Sequence, residues 1–318
     1  MNRIYLLMLT LLFVGCLREE LPVEPTPRGD AVLASVNMQV NYDDQIWYDL
    51  GTQRVVAIHP RISWDIGLGS SDTADIVTLN TSCAMQAAIT DERDFDAITS
   101  VGDFSFYPDH PTGNIDSLAI RGDWIGKVIL LDLGYTASGK LRGKRKIQFL
   151  EVNKQFYRFQ YANLDGSDRK EETIERDPTY NFQTYSFISQ GIYQVEPPKE
   201  DYDLCFTTYT HLFYDPYLPY LVNGVLMNWH STTAWSDTTY SFEEIDRSLA
   251  QSLILDDRQD IIGYDWKTFS FANNGFTMDP RKVYVIQDAD GFLFKLRFTD
   301  FYNEDKEKGN PTFSFQQL

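Results

Sequence analysis

Apolar and polar residues alternate with a period of two along most of the chain. "FYRFQY" (156–161), "KVYVIQ" (282–287) and "FLFKLRF" (292–298) each place every second side chain on one face, the pattern of a half-buried strand. "ADGF" (289–292), between two of these runs, predicts a tight hairpin turn. "YDLCFTTYTHLFYD" (202–215) alternates too, and sets His211 among aromatics where the strand should end. Helical periodicity is sparse. Only "SFEEIDRSLAQSLI" (241–254), with Ser241 as N-cap and Ile245, Leu249 and Leu253 on one side, predicts a helix. The expected fold class is therefore predominantly β, with antiparallel sheets and short helices.

The strand pattern occurs twice. "IWYDLGTQRVVAIHPRISWDIGL" (46–68) and "YSFISQGIYQVEPPKEDYDLCF" (185–206) share a strand, a polar turn, a second strand, a proline-containing loop and a [WY]-D-[IL] strand. "IRGDWIGK" (120–127) is answered by "IIGYDWKTF" (261–269), and 146–166 by 282–303, in the same order. A period this long indicates a duplicated domain. The charged stretch 164–180, with Pro178, predicts the break, giving two tandem β domains at 31–170 and 171–318.

The start of the chain is of another kind. "MNRIYLLMLTLLFVG" has one cation before a short apolar run, the form of a secretory signal peptide over 1–15, and "LFVGC" has the form of a lipobox that would make Cys16 the lipidated residue. Residues 16–30, with Glu19, Glu20 and three prolines, read as a flexible tether. An acidic cluster behind such a cysteine resembles the export signal of Bacteroidetes surface lipoproteins. The expected location is the outer membrane, lipid-anchored and facing the cell exterior.

The net charge of −18 disfavours nucleic acid and anionic headgroups. The basic run "GKLRGKRK" (139–146) reads as a solvated hairpin turn. Cys83 and Cys205 could pair as a disulfide, but strand contexts suit buried free thiols better, and no cysteine spacing suits zinc. No nucleophile elbow, zinc-protease helix, phosphate loop or EF-hand pattern is present, so no catalytic residues are assigned and a non-enzyme is expected.

The [WY]-D-[IL] strands, the asparagine stretch "YLVNGVLMN" (220–228) and the closing hairpin "KVYVIQDADGFLFKLRFTDFYNEDKEKGNPTFSF" resemble the HmuY family. The resemblance is fuller in the second half. In the first, "TLNTSCAMQAA" (78–88) only approximates the asparagine stretch. It implies a β-rich surface lipoprotein acting as a hemophore in iron acquisition. Such a protein takes up heme, holds its iron through histidine or methionine, and passes it to a TonB-dependent outer-membrane receptor.

Candidate axial ligands are few, because the chain has four histidines. His110, in the Pro/Gly-rich "FSFYPDHPTGN", falls where a ligand loop would; an exposed loop histidine is the alternative. His211, Met227, His230 and Met85 complete the candidates, with Trp229 and Tyr214 as aromatic contacts. His211 also reads as a ring-packed structural histidine, and Met85 as core filler. A different reading keeps the scaffold for a glycan, peptide or membrane partner, with Trp124, Trp229, Trp235 and Trp266 as stacking platforms.

Overall fold

A computed structural model describes residues 29–70, 75–229, 231–272 and 274–318. The signal peptide, Cys16 and His230 lie outside the described residues. The chain runs as two successions of an arm and a body. The first arm is β1 (Val32–Ser35), β2 (Asp44–Asp49) and β3 (Arg54–Pro60). Its body is β4 (Ile66–Gly69), β5 (Val77–Leu79), β6 (Gln86–Ile89), β7 (Val128–Asp132), β8 (Lys144–Val152) and β9 (Phe156–Asn163). The second arm is β10 (Lys170–Glu175), β11 (Phe182–Ser186) and β12 (Gly191–Ile192). The second body comprises β13 (Leu204–Tyr214), β14 (Tyr217–Met227), β15 (Thr233–Asp237), α1 (Arg247–Ser252), β16 (Lys267–Ser270), β17 (Gly275–Met278), β18 (Val283–Gln287), β19 (Leu293–Tyr302) and β20 (Lys308–Gln317).

Each arm joins the other copy's body. The sheet β1-β20-β19-β18-β15 matches β10-β9-β8-β7-β6 strand for strand, and β14-β13-β2-β3 matches β5-β4-β11-β12. Two lobes result. One is the contiguous stretch from β4 to β12; the other joins the first arm to the second body. The packing repeats as closely as the topology. Tyr48 meets Phe313 and Phe315 edge-on at 5.2 and 6.0 Å, and Tyr185 meets Phe159 and Tyr161 at 5.2 and 5.9 Å. Trp266 stacks on Phe298 and Trp124 meets Phe149 edge-on, and β8 and β19 are irregular just after those phenylalanines.

The shared motif explains the exchange. Leu50 N–H, in the first arm's turn, donates to Asp203 Oδ2 at 2.8 Å, and Phe187 N–H, in the second arm's turn, donates to Asp65 Oδ2 at 2.6 Å. Each motif aspartate therefore fastens a foreign arm to its own body. Asn80 and Asn228 do the same work one strand further on: Asn80 donates to the carbonyls of Arg61 and Trp64, Asn228 to those of Lys199 and Tyr202. Buried carbonyls in the connecting loops are thus satisfied by a side chain, where leaving them unpaired would be costly.

The tandem division at 170 is corrected by this pairing. Residues 170–175 form β10 against β9, and β2 pairs with β13 across the division. Local sequence cannot choose between arms, because both bury the same face. The predicted helix is shorter than 241–254: it covers Arg247–Ser252 and is capped by Asp246, whose side chain accepts from Leu249 N–H. Ser241 instead closes a separate turn through Glu244. The basic run is only partly solvated. Arg142 is buried against Asp65, and Lys146 is buried with its Nζ donating to the Phe95 and Ile98 carbonyls.

Candidate functional site

Arm and body strands of both lobes line a partly open cavity of about 140 Å³. Trp47, Trp64, Phe182, Tyr202, Met227 and Trp229 are among its walls, and His110 stands at it too. The loop carrying His110 is fixed by Asp109, which is buried. Its Oδ2 accepts from Leu79 N–H at 2.7 Å and its Oδ1 from Ala119 N–H at 2.8 Å. Burial pushes this carboxyl up to about 6.

With its neighbour anchored, the His110 ring is aimed. Nδ1 meets Thr112 Oγ1 at 2.9 Å and Nε2 meets Tyr214 Oη at 2.9 Å, the two rings lying nearly parallel. Tyr214 closes the β13–β14 hairpin opposite Tyr217. That tip is an exposed aromatic surface: Tyr107, Phe213, Tyr214, Tyr217 and Tyr220 all present large solvent-facing areas. Two segments about a hundred residues apart thus bring an oriented imidazole to the rim of a ring-covered face.

His211 lies edge-on to Phe213 and Tyr264, with ring centroids at 4.9 and 4.8 Å. Its Nδ1 is buried without a hydrogen-bond partner, and burial lowers its pKa, so the ring carries a free lone pair at neutral pH. It borders a second, more polar cavity of about 410 Å³ with Asp260 and Tyr264. Asp260 is within electrostatic reach of both His110 and His211. Gly224 lets that loop approach, since a Cβ there would lie 2.4 Å from the Gly263 carbonyl oxygen. Val225 N–H then donates to Gly263 O and Met227 N–H to Gln259 O.

The other candidates are dispersed. Met85 is fully buried in the core of the contiguous lobe, and Met227 is buried in the core of the other lobe while its surface also borders the cavity. Trp229 stacks on Phe182 at 4.5 Å. Trp124 and Trp266 are buried in the two cores, which removes them as platforms for a sugar, and Trp235 leans on Tyr240. Cys83 and Cys205 are free thiols.

Glu196 is a residue the sequence reading passed over. It is buried at the cavity wall, accepts from Tyr202 Oη at 2.7 Å, from the Asn181 side chain and from Phe182 N–H, and burial pushes it up to about 7. Its signal was present: an acid between Val195 and Pro197, away from the polar stretches that hold most carboxylates.

The fold and face define an all-β two-lobed protein with an imidazole presented beside exposed aromatic rings. The HmuY protein family model matches residues 41–315, and the chain belongs to the HmuY family. Among solved structures it is similar to the apo HmuY analog of Tannerella forsythia, at 12% identity and a TM-score of 0.26 over 91% of this chain and 97% of that one. Apo PinO from Porphyromonas gingivitis aligns at 10% identity and a TM-score of 0.28, over 91% and 98%. A Bacteroides vulgatus protein named for HmuY-like heme binding aligns at 11% and 0.24, over 92% and 95%. No curated protein matches the chain.

Proposed function

We propose that this chain is a surface lipoprotein that binds heme at the face formed by the His110 loop and the β13–β14 tip. In this reading it then passes the heme to a TonB-dependent receptor. Membership of the HmuY family supports heme binding at the level of the family. The observation that carries the placement is the His110–Tyr214 contact. It holds Nε2 at the edge of an aromatic surface, while the bond between Nδ1 and Thr112 Oγ1 orients the ring through its other nitrogen, as such bonds orient ligands in metal sites generally.

The donors suit heme, whose bound iron supplies a Lewis acid for imidazole nitrogen. His110 can offer Nε2 by releasing Tyr214, and His211 has an unpartnered Nδ1 and a neutral ring. The cavity between the lobes does not suit a porphyrin. At about 140 Å³ it is well below the roughly 300–1,000 Å³ typical of ligand pockets, so in this reading the macrocycle lies on the outer rings, near the cavity of about 410 Å³ that His211 borders. Reversible capture on an open face also fits a carrier that must release what it holds. In this reading Cys16 bears the lipid that ties the protein to the outer membrane.

The test is a hemin titration of the chain from Gly29 onward, followed by Soret absorption in oxidised and reduced states. A saturable low-spin spectrum is expected, with affinity reduced at least tenfold in His110→Ala, the loss of about 1.4 kcal/mol. An unchanged hemin spectrum would overturn the reading.

A further inference from the structure

The cavity between the lobes has a chemistry that outer-face heme binding does not use. Its walls include three indoles, Trp47, Trp64 and Trp229, besides Phe182 and Tyr202, and among the described residues no lysine or arginine lines it. Its two carboxylates, Asp109 and Glu196, are only 4% and 7% exposed. Glu196 is held wholly by neutral donors, from Tyr202, Asn181 and the Phe182 backbone. Asp109 is bonded by two backbone N–H groups, with Arg121 acting on it only through space.

Burying two carboxylates costs free energy that neutral donors offset only in part, and burial accordingly raises both groups. Aromatic faces attract cations through their quadrupoles, most strongly where water is excluded, and indole does so best. Ring walls, two buried carboxyl groups and the absence of lysine or arginine among the described lining residues describe the same occupant. The volume sets its size, since a cavity of about 150 Å³ takes one benzene-sized group.

We propose that the inter-lobe cavity binds the head of a small organic cation, an alkylamine or quaternary ammonium, between its tryptophans and beside Glu196. The site stands whether or not heme binds the outer face.

The probe is tetramethylammonium chloride, titrated into the chain from Gly29 onward while indole fluorescence is followed. Sodium chloride serves as the ionic control and tert-butanol as the neutral isostere. A saturable change is expected with tetramethylammonium and none with sodium chloride, and tert-butanol should bind about tenfold more weakly. Glu196→Gln should weaken the cation about tenfold while leaving tert-butanol unaffected, a split that a merely structural role would not produce. Cys205→Leu, which fills the wall from a different strand, should abolish the response, with thermal melting confirming that each variant is folded. Equal affinity for tert-butanol would overturn the proposal in favour of an uncharged apolar hollow. No saturable response in the unaltered protein would overturn it outright.

Discussion

The two lobes are built from the same parts and differ in how each motif aspartate is neutralised. Asp65 is paired with Arg142 at 2.7 Å, both side chains nearly inaccessible to water, besides accepting from Phe187 N–H. Asp203 accepts from Leu50 N–H but meets no cation among the described residues; burial, reinforced by Asp288, Asp49 and Asp290 around it, pushes it up to about 7. Burial raises Asp65 too, against the pull of Arg142, so one fastening is a buried ion pair and the other a buried carboxyl without a cationic partner among the described residues. The same geometry occurs twice, and the charges around it differ.

The largest expected effect follows from connectivity. The contiguous lobe holds its whole core between Ile62 and Phe187, whereas the other draws Val36, Met38, Ile46, Tyr48 and Leu50 from the first arm. Residues 62–192 alone should fold, with dispersed amide resonances and slow hydrogen exchange. Residues 193–318 alone should not, because five buried apolar side chains, worth roughly 1.5–3 kcal/mol each, are missing. Adding a chain of residues 29–61 in trans should restore the second core. A well-folded 193–318 fragment would mean that the arm is ornamental.

Next comes the ion pair. Arg142→Met leaves Asp65 buried and unpaired, so it should cost about 3–5 kcal/mol in urea unfolding. Asp203→Asn keeps an acceptor oxygen for Leu50 N–H and removes a charge from an acidic setting, so it should change stability by about 1 kcal/mol or less at pH 7. Similar losses from both substitutions would erase the distinction drawn between the lobes.

The aspartate without a cationic partner also shapes the dependence on pH. Asp203 binds its proton more tightly in the folded protein than at its ordinary value of 3.8. Its contribution is therefore fully present below about pH 4, falls as pH rises, and is gone above about pH 7. The span is on the order of 2–4 kcal/mol. Asp65, Asp109 and Glu196 add slopes of the same sign, so the comparison is between the unaltered protein and Asp203→Asn, whose unfolding free energy should decline less steeply between pH 4 and 8. A parallel decline in both would remove Asp203 as its source.

What the sequence disclosed follows the same physics. The repeat was visible because a buried aspartate, an asparagine one strand later and an aromatic pair each have a fixed structural task, which holds Asp65 and Asp203, or Trp124 and Trp266, in register. Arm exchange was not visible, because β2 and β11 bury equivalent faces and either body would accept either. His110 was legible as a ligand candidate from its loop, but its contact with Tyr214 depends on how a hairpin tip from the other lobe reaches over it. Glu196 was hidden among many carboxylates whose burial is decided only in three dimensions.

The smallest effect probes a second repeated pair. Lys146 and Lys295 are both buried, each over a phenylalanine ring, at 4.6 Å from Phe95 and 4.7 Å from Phe242. Lys146 donates to two carbonyls, of Phe95 and Ile98, while Lys295 donates to that of Ile245. Methionine keeps the apolar stem and removes the donor, so each substitution strands the carbonyls its lysine had served. Lys146→Met should therefore cost about 1 kcal/mol more than Lys295→Met, the net worth of one hydrogen bond, read from urea midpoints at equal slope. Burial lowers the Lys295 ammonium from its ordinary range, so the desolvation relieved by its deletion works in the same direction as the carbonyl count. If Lys295→Met proved the costlier, the carbonyl count would not govern these sites, and the cation's place over its ring would become the term to measure.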